Sequence, residues 1–365
     1  MAMDLTSALL GAVVILSVLS EVEVMRTMAR KDFISWDDVR VNEQEYESMI
    51  REELYSRKGR PNRSGVILVD KNGRGDSITV QGAVDMVPEN NSQRVKILIL
   101  PGTYREKVHV PSSKPYISFI GDEDQSSKTT ISWHDKASDK QTDGCELGTY
   151  RSASVTVESD FFCATGITFE NTVVAVPGGY GMQAVALRVS GDKAMFYRVR
   201  VLGTQDTLLD DTGSHYFYQC YIQGSVDFIF GRSTSLYEEC VIHSTATNFG
   251  AIAAHHRDSP SDHSGFSFVN CVINGTGNIY LGRAWGDYSR VVYSYCYLDN
   301  IITPPGWSDW NHPYRQKTAV FGEYQCSGRG ADTRGRVPWS KTFSHEEARG
   351  FLDKKFIQGD RWLRL

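Results

Sequence analysis

A chain of 365 residues, 41% hydrophobic and 23% charged, has ordinary globular composition and the length for a large core. The formal net charge is −5 and no basic stripe with interleaved aromatics occurs, which excludes a nucleic-acid binder. The seven cysteines form no CxxC pair, which excludes a zinc framework, and their odd number leaves at least one thiol outside any set of intramolecular bonds.

The first predicted element is the uncharged run ALLGAVVILSVL at residues 8–19. It is too short to cross a bilayer, which takes roughly 20 residues. It reads as the apolar part of a secretory signal over 1–20, with Val18 and Ser20 before the cut, although no positive charge precedes it. A retained membrane anchor is the alternative. Residues 21–60, with SWDDVRVNEQEYESMIREELYSR, read as a charged, partly helical lead-in, and a β-rich unit runs from 61 to 365. Sequons at Asn62, Asn90 and Asn274 are consistent with export and are candidate N-glycosylation sites.

Residues 75–90, GDSITVQGAVDMVPEN, predict a strand and turn followed by a short helix that caps the solenoid described next. From about 150 to 300 one pattern recurs: FYQCYIQG from Phe217, YEECVIHS from Tyr237, FVNCVING from Phe268 and YSYCYLDN from Tyr293. FCATGITF from Phe162 and FYRVRVLG from Phe196 are looser copies, and successive copies are 34, 21, 20, 31 and 25 residues apart. Short β segments with a period in the twenties mean stacked coils. Recurring Leu and Asn at leucine-rich-repeat offsets are absent, so the pattern predicts an all-β fold, a right-handed single-stranded parallel β-helix. Residues 344–363, SHEEARGFLDKKFIQGDRWL, have helical spacing and are expected to cover the other open edge of the stack.

The repeat places four cysteines at one position of successive coils. They form either a ladder of buried thiols or, between neighbouring coils, a disulfide, for which Cys220 and Cys240 are the candidates. The same arithmetic brings polar residues together. Gln183 lies 22 positions before Gln205, and Asp227 lies 21 after Asp206. Each step is one coil, and adjacent strands are about 4.8 Å apart, so two carboxamides and two carboxylates meet on one face. Two carboxylates that close do not both ionise comfortably. Arg283, 56 positions after Asp227, is the natural partner that keeps Asp227 charged and leaves Asp206 holding the proton. An anionic nucleophile beside a neutral acid suits acyl transfer, and the glutamine amides suit an oxyanion. A buried Asp227–Arg283 ion pair with a purely structural glutamine ladder is the alternative at this point.

The ordered motifs decide between them. GTYREKV (102–108), GTYRSASVTV (148–157), QAVALRV (183–189), QDTL (205–208), DFIFG (227–231), LGRAW (281–285), PPGWSDW (304–310) and the closing FIQGDRWL make the chain resemble the plant-type pectinesterase (pectin methylesterase) family from about Val66 onward. The resemblance implies hydrolysis of galacturonate methyl esters in methyl-esterified homogalacturonan (pectin). It gives Asp227 as nucleophile, Asp206 as proton donor and acceptor, Gln205 and Gln183 as oxyanion stabilisers and Arg283 as the residue that orients Asp227. Thr149, Gln183, Arg283 and Trp285 are the implied substrate contacts, and no metal or organic cofactor is implied. A secreted wall-modifying monomer is expected, with a proteinaceous pectinesterase inhibitor as a candidate partner and no inhibitor-like pro-domain. Ala284, Arg232-Ser233 and Ser154 depart from the family's commoner proline, Asn-Ala and threonine. Phe228, Tyr288 and Trp307 are candidate cleft aromatics. A polygalacturonase, a Ca²⁺-dependent lyase or a non-catalytic pectin-binding solenoid are the rival readings. His255-His256 reads as a polar turn, and no GxSxG serine elbow occurs.

Overall fold

The structure, a computed structural model, describes residues 33–42, 65–176 and 178–365. The candidate signal and Asn62 lie outside the described residues. Every ladder between the described strands is parallel; beside one two-stranded pair they form an 11-stranded and a 14-stranded sheet wound around one core, so the chain is a parallel β-helix. One coil shows the plan. Strand Ser214–Tyr218 lies in the first sheet, and Tyr221–Gly224 and Ile229–Gly231 lie on two flanks of the second. These flanks merge in the long strands Val241–His255 and Val272–Ala284.

The recurring motif is the corner of each coil. Its aromatic points inward in register with its counterparts, Phe196 on Phe217, Phe217 on Tyr237, Tyr237 on Phe268 and Phe268 on Tyr293. Their rings stack at 4.6, 4.7, 4.6 and 4.5 Å, each pair adding about 0.5–1.5 kcal/mol beyond burial. The second spacer turns the chain. Arg198, Gln219, Glu239, Asn270 and Tyr295 all have φ between 50 and 56°. A side chain in this left-handed region costs about 1–2 kcal/mol. The turn is held because each corner N–H reaches the next coil, for example Arg198 N to Tyr218 O at 3.0 Å and Gln219 N to Glu238 O at 3.0 Å.

The cysteine after each corner faces inward. All seven cysteines are free, so of the two alternatives the structure has the ladder of buried thiols and not the candidate Cys220–Cys240 disulfide. Neighbouring thiols lie within side-chain reach of one another, Cys240 of Cys220 and of Cys271, and Cys296 of Cys271, yet form no S–S bond. Instead each donates to a carbonyl of the coil before it: Cys220 Sγ to Phe196 O at 3.3 Å, Cys240 to Phe217 O at 3.4 Å, Cys271 to Tyr237 O at 3.3 Å and Cys296 to Phe268 O at 3.4 Å. Burial pushes the thiols of Cys240, Cys271 and Cys296 well up.

The start of the stack is capped as the sequence predicts, by helix Val80–Met86, which buries Val80, Ala83 and Val84. Its first N–H groups are taken by Glu106, with Val80 N and Gln81 N donating to the carboxylate at 2.8 and 2.9 Å. The C-terminal segment differs from expectation. Its helical part is one turn, His345–Ala348, followed by 3₁₀ turns, and the segment runs back over the outer flank of the 11-stranded sheet. Ile357, Trp362 and Leu363 pack there on Met195, Tyr216, Leu236 and Val269, outward residues whose apolar row made that flank the better burial site. Residues 33–42 join it: Ile34–Ser35 pairs with Leu363–Arg364, and Trp36 packs on Tyr197 at 4.9 Å.

Candidate active site

Asp206 and Asp227 occupy equivalent bends in successive coils, GTQDTLL and GSVDFIF. Both have positive φ, 59 and 47°, a conformation Asp tolerates better than most residues. Gln205 bridges Val226 in parallel, and Asp206 N donates to Val226 O at 3.1 Å, so the carboxylates stand side by side one strand spacing apart. Ala184 N donates to Gln205 O at 3.1 Å, which sets Gln183 on the preceding coil. The strand after Asp227 requires Gly231, at φ 140°, because a Cβ there would lie 1.8 Å from the Asp210 carbonyl oxygen.

Arg283 lies two coils on, in register with Ala254 and Phe230. Its Nε donates to Asp227 Oδ1 at 2.8 Å and its Nη2 reaches Oδ2, a two-point grip on a side chain only 9% exposed. The guanidinium lies 3.7 Å from the Trp310 ring centroid. Burial raises the Asp227 carboxyl, and Arg283 opposes that rise. Asp206 is driven well above the carboxylate range, first by desolvation and then by the Asp227 charge, with Arg283 and a Gln205 hydrogen bond only partly countering. Of the two, Asp227 has the guanidinium that favours its charged form, and Asp206 is the one more strongly driven to hold a proton. Beside the pair, Ala153, Val185, Leu209, Phe230 and Ala254 form an apolar floor with Trp285 and Trp310 against it.

Residues 66–360 match the family model for pectinesterase. The chain belongs to the pectinesterase family. Pectinesterase QRT1 of Arabidopsis thaliana is 65% identical over 345 residues, 92% of this chain and 91% of that one. Pectinesterase 31 of the same plant is 41% identical over 310 residues, 82% of this chain and 95% of that one. Among solved structures, a pectin methylesterase from carrot superposes with a TM-score of 0.76 at 36% identity, covering 84% of this chain and 96% of that one. One from Aspergillus niger gives 0.71 at 30% identity over 83% of this chain and 97% of that one.

Of the residues singled out in this pectinesterase sequence, Gln183, Gln205, Asp206, Asp227 and Arg283 come together. Trp285 sits on the floor with its ring 6.1 Å from Phe230 and 4.7 Å from His256. Thr149 lies in the helical turn Gly148–Arg151, tied to the site by Gly148 N to Ala137 O at 2.9 Å and Ala137 N to Gln183 O at 2.8 Å. Two candidate cleft aromatics are core instead. Phe228 is 0% exposed, and Trp307 is 1% exposed and stacks on Phe321. Tyr288 is half-buried, and its carbonyl accepts from Arg257 Nη1. Trp310 and the exposed Phe249, 5.9 Å from the Arg283 guanidinium, were missed. Trp310 had a signal in SDW, three residues past Trp307, but which of two tryptophans faces out depends on a turn geometry that spacing does not fix.

Proposed function

We propose that this chain hydrolyses galacturonate methyl esters of pectin through Asp227 as an aspartyl nucleophile. An Asp227 Oδ attacks the ester carbonyl carbon and forms the new C–O bond. The carbonyl oxygen becomes an oxyanion that accepts hydrogen bonds from the Gln183 and Gln205 amides; such a donor contributes about 10²–10³ in rate. The intermediate collapses with loss of the methoxy group, and Asp206 gives it the proton that makes methanol. Asp206, now anionic, takes a proton from water, whose oxygen attacks the acyl carbon of the mixed anhydride. The uronate leaves, Asp227 is again a carboxylate and Asp206 again an acid. Arg283 keeps Asp227 ionised and aims it, Trp285 supplies a face for a sugar ring, and Thr149 borders the substrate.

The observation that carries this reading is the asymmetry of the pair: a guanidinium-held carboxylate beside a carboxyl kept neutral by burial and by its neighbour's charge. A polygalacturonase or lyase has no use for two carboxamides stacked against that pair. The implied action on wall pectin, the candidate signal over 1–20 and the exposed sequon at Asn90 support an extracellular, glycosylated protein. Asn274 is a poorer acceptor, since it is half-buried and hydrogen-bonds His243 at 2.7 Å. The deciding experiment is methanol release from highly methylated pectin by wild type and by Asp227→Ala with matched circular dichroism. Methanol from wild type alone is expected. Equal release by the folded variant, or uronide shortening without methanol, overturns the assignment.

A further inference from the structure

Past the strands that carry the cleft floor, Asp211, Arg232, His256 and Trp285 form a row across four coils. Gly231 pairs with His255 and His255 with Ala284, and Arg232 N donates to Asp211 O at 2.9 Å. The charges around this row are mostly paired. Asp211 accepts from Tyr150 OH at 2.9 Å and lies 3.6 Å from Arg188, which also stands 3.7 Å from Glu158. Arg315 holds Asp287 at 2.9 Å and the Ala284 carbonyl at 2.7 Å. Arg257 spends its guanidinium on the carbonyls of Asp262, Pro260 and Tyr288. Arg232 alone in the row is an exposed cation with no ion-pair partner among the described residues. Its charge reaches both neighbours: it adds to the burial that holds His256 down and opposes the burial that raises Tyr150.

We infer that Arg232 is an anion subsite that takes the free carboxylate of an already de-esterified uronate while a neighbouring sugar lies against Trp285. The inference rests on the esterase reading and names its preferred substrate: pectin that is partly de-esterified, beside which a new ester is cut. A methyl ester carries no charge and offers a guanidinium only a weak acceptor, whereas a carboxylate accepts two parallel N–H bonds from it. The reaction's own product is that carboxylate, so each turnover creates the group that Arg232 binds.

The test compares wild type, Arg232→Gln and Arg232→Lys on fully methylated and on partly de-esterified pectin, with de-esterified oligogalacturonate as competitor. Arg232→Gln is expected to lower the ratio of kcat/KM on partly de-esterified over fully methylated pectin by about fivefold, the scale of one partly exposed charge pair. It also weakens the competitor, Arg232→Lys recovers part of both effects, and added salt reduces the wild-type ratio. An unchanged ratio with unchanged competitor affinity overturns the inference and leaves the esterase reading standing. Should wild type release no methanol from either pectin, that reading falls. Direct titration of wild type and Arg232→Gln with the oligogalacturonate then decides the subsite: weaker binding by the variant upholds it, and equal binding ends it.

Discussion

Replacing Arg283 by alanine isolates the electrostatic core of the mechanism. The guanidinium grips an Asp227 side chain that is 9% exposed, with Nε 2.8 Å from Oδ1, and the arginine side chain itself is 20% exposed. Two unit charges about 4 Å apart attract by about 4 kcal/mol at an effective dielectric near 20. Removing one partner of a buried pair costs about 3–5 kcal/mol for the same reason. Without Arg283, burial acts on Asp227 unopposed, so the carboxyl takes up a proton and the nucleophile is lost. At 1.36 kcal/mol per tenfold, 4 kcal/mol corresponds to about a 10³-fold fall in kcat/KM. The acidic limb of the pH–rate profile should also move to higher pH. Arg283→Lys keeps the charge but not the two-point grip or the flat contact with Trp310, and should fall about tenfold with a smaller shift of that limb. The assay is initial methanol release across pH, with thermal melts to confirm folding. A folded Arg283→Ala protein within about threefold of wild type, with its acidic limb unmoved, would refute the argument that Arg283 sets the ionisation of Asp227.

Asp206→Asn should abolish turnover yet stabilise the fold. The Asp206 carboxyl is raised well above its ordinary value by burial and the Asp227 charge, so the folded protein loses stability as pH climbs past about 3.9, and an amide does not. A melting advantage of about 1 kcal/mol that widens from acid toward neutral pH is expected, and a variant less stable at every pH contradicts it. A second prediction concerns the sealed network of Asp210, His215 and Tyr237, in which His215 Nδ1 meets Asp210 and Tyr237 OH donates to Asp210 at 2.6 Å. Burial alone would raise Asp210 and lower His215, but their mutual attraction reverses both shifts. The pair's stabilisation is thus lost as pH falls through the lowered Asp210 pKa, and lost again as pH rises through the raised His215 pKa. Melting temperature should peak between, and His215→Ala should cost about 3–5 kcal/mol at that peak. A flat pH–melting curve for wild type would count against this account. Finally, a thiol reagent should label Cys145, the one exposed cysteine, rapidly in the native protein and all seven after non-reducing denaturation. Five reactive thiols in denaturant would restore a disulfide.

The coil was legible because stacking repeats side-chain chemistry at fixed intervals: an aromatic, two spacers and a cysteine recur, and the spacing alone set Asp206 beside Asp227 and Gln205 after Gln183. Less legible was whatever depends on backbone twist. Positive φ is ordinarily announced by glycine, yet here Arg198, Glu239 and Tyr295 adopt it, because bonds to the next coil hold them there. The roles of Thr149 and Trp285 came from family resemblance, since neither spacing nor composition separates a substrate contact from a turn residue. The 344–363 segment has helical spacing, but that pattern reports only an apolar side and not which surface it meets; the outward row of Met195, Tyr216 and Leu236 was the better match.

That meeting of residues 33–42 with the C-terminal segment changes how the molecule should come apart. A stack of coils touching only their neighbours tends to melt piecemeal, fraying rung by rung from its termini. Here Ile34, Val39, Ile357, Trp362 and Leu363 lie across strands Cys163–Thr165, Ala194–Tyr197, Ser214–Tyr218, Thr234–Glu238 and Gly265–Val269, and Ile34–Ser35 pairs with Leu363–Arg364. No rung beneath that splint can open without lifting it from the rest. The strapped stretch should therefore unfold as one cooperative unit, with coincident transitions by every probe, in a molecule whose architecture would otherwise favour many small ones.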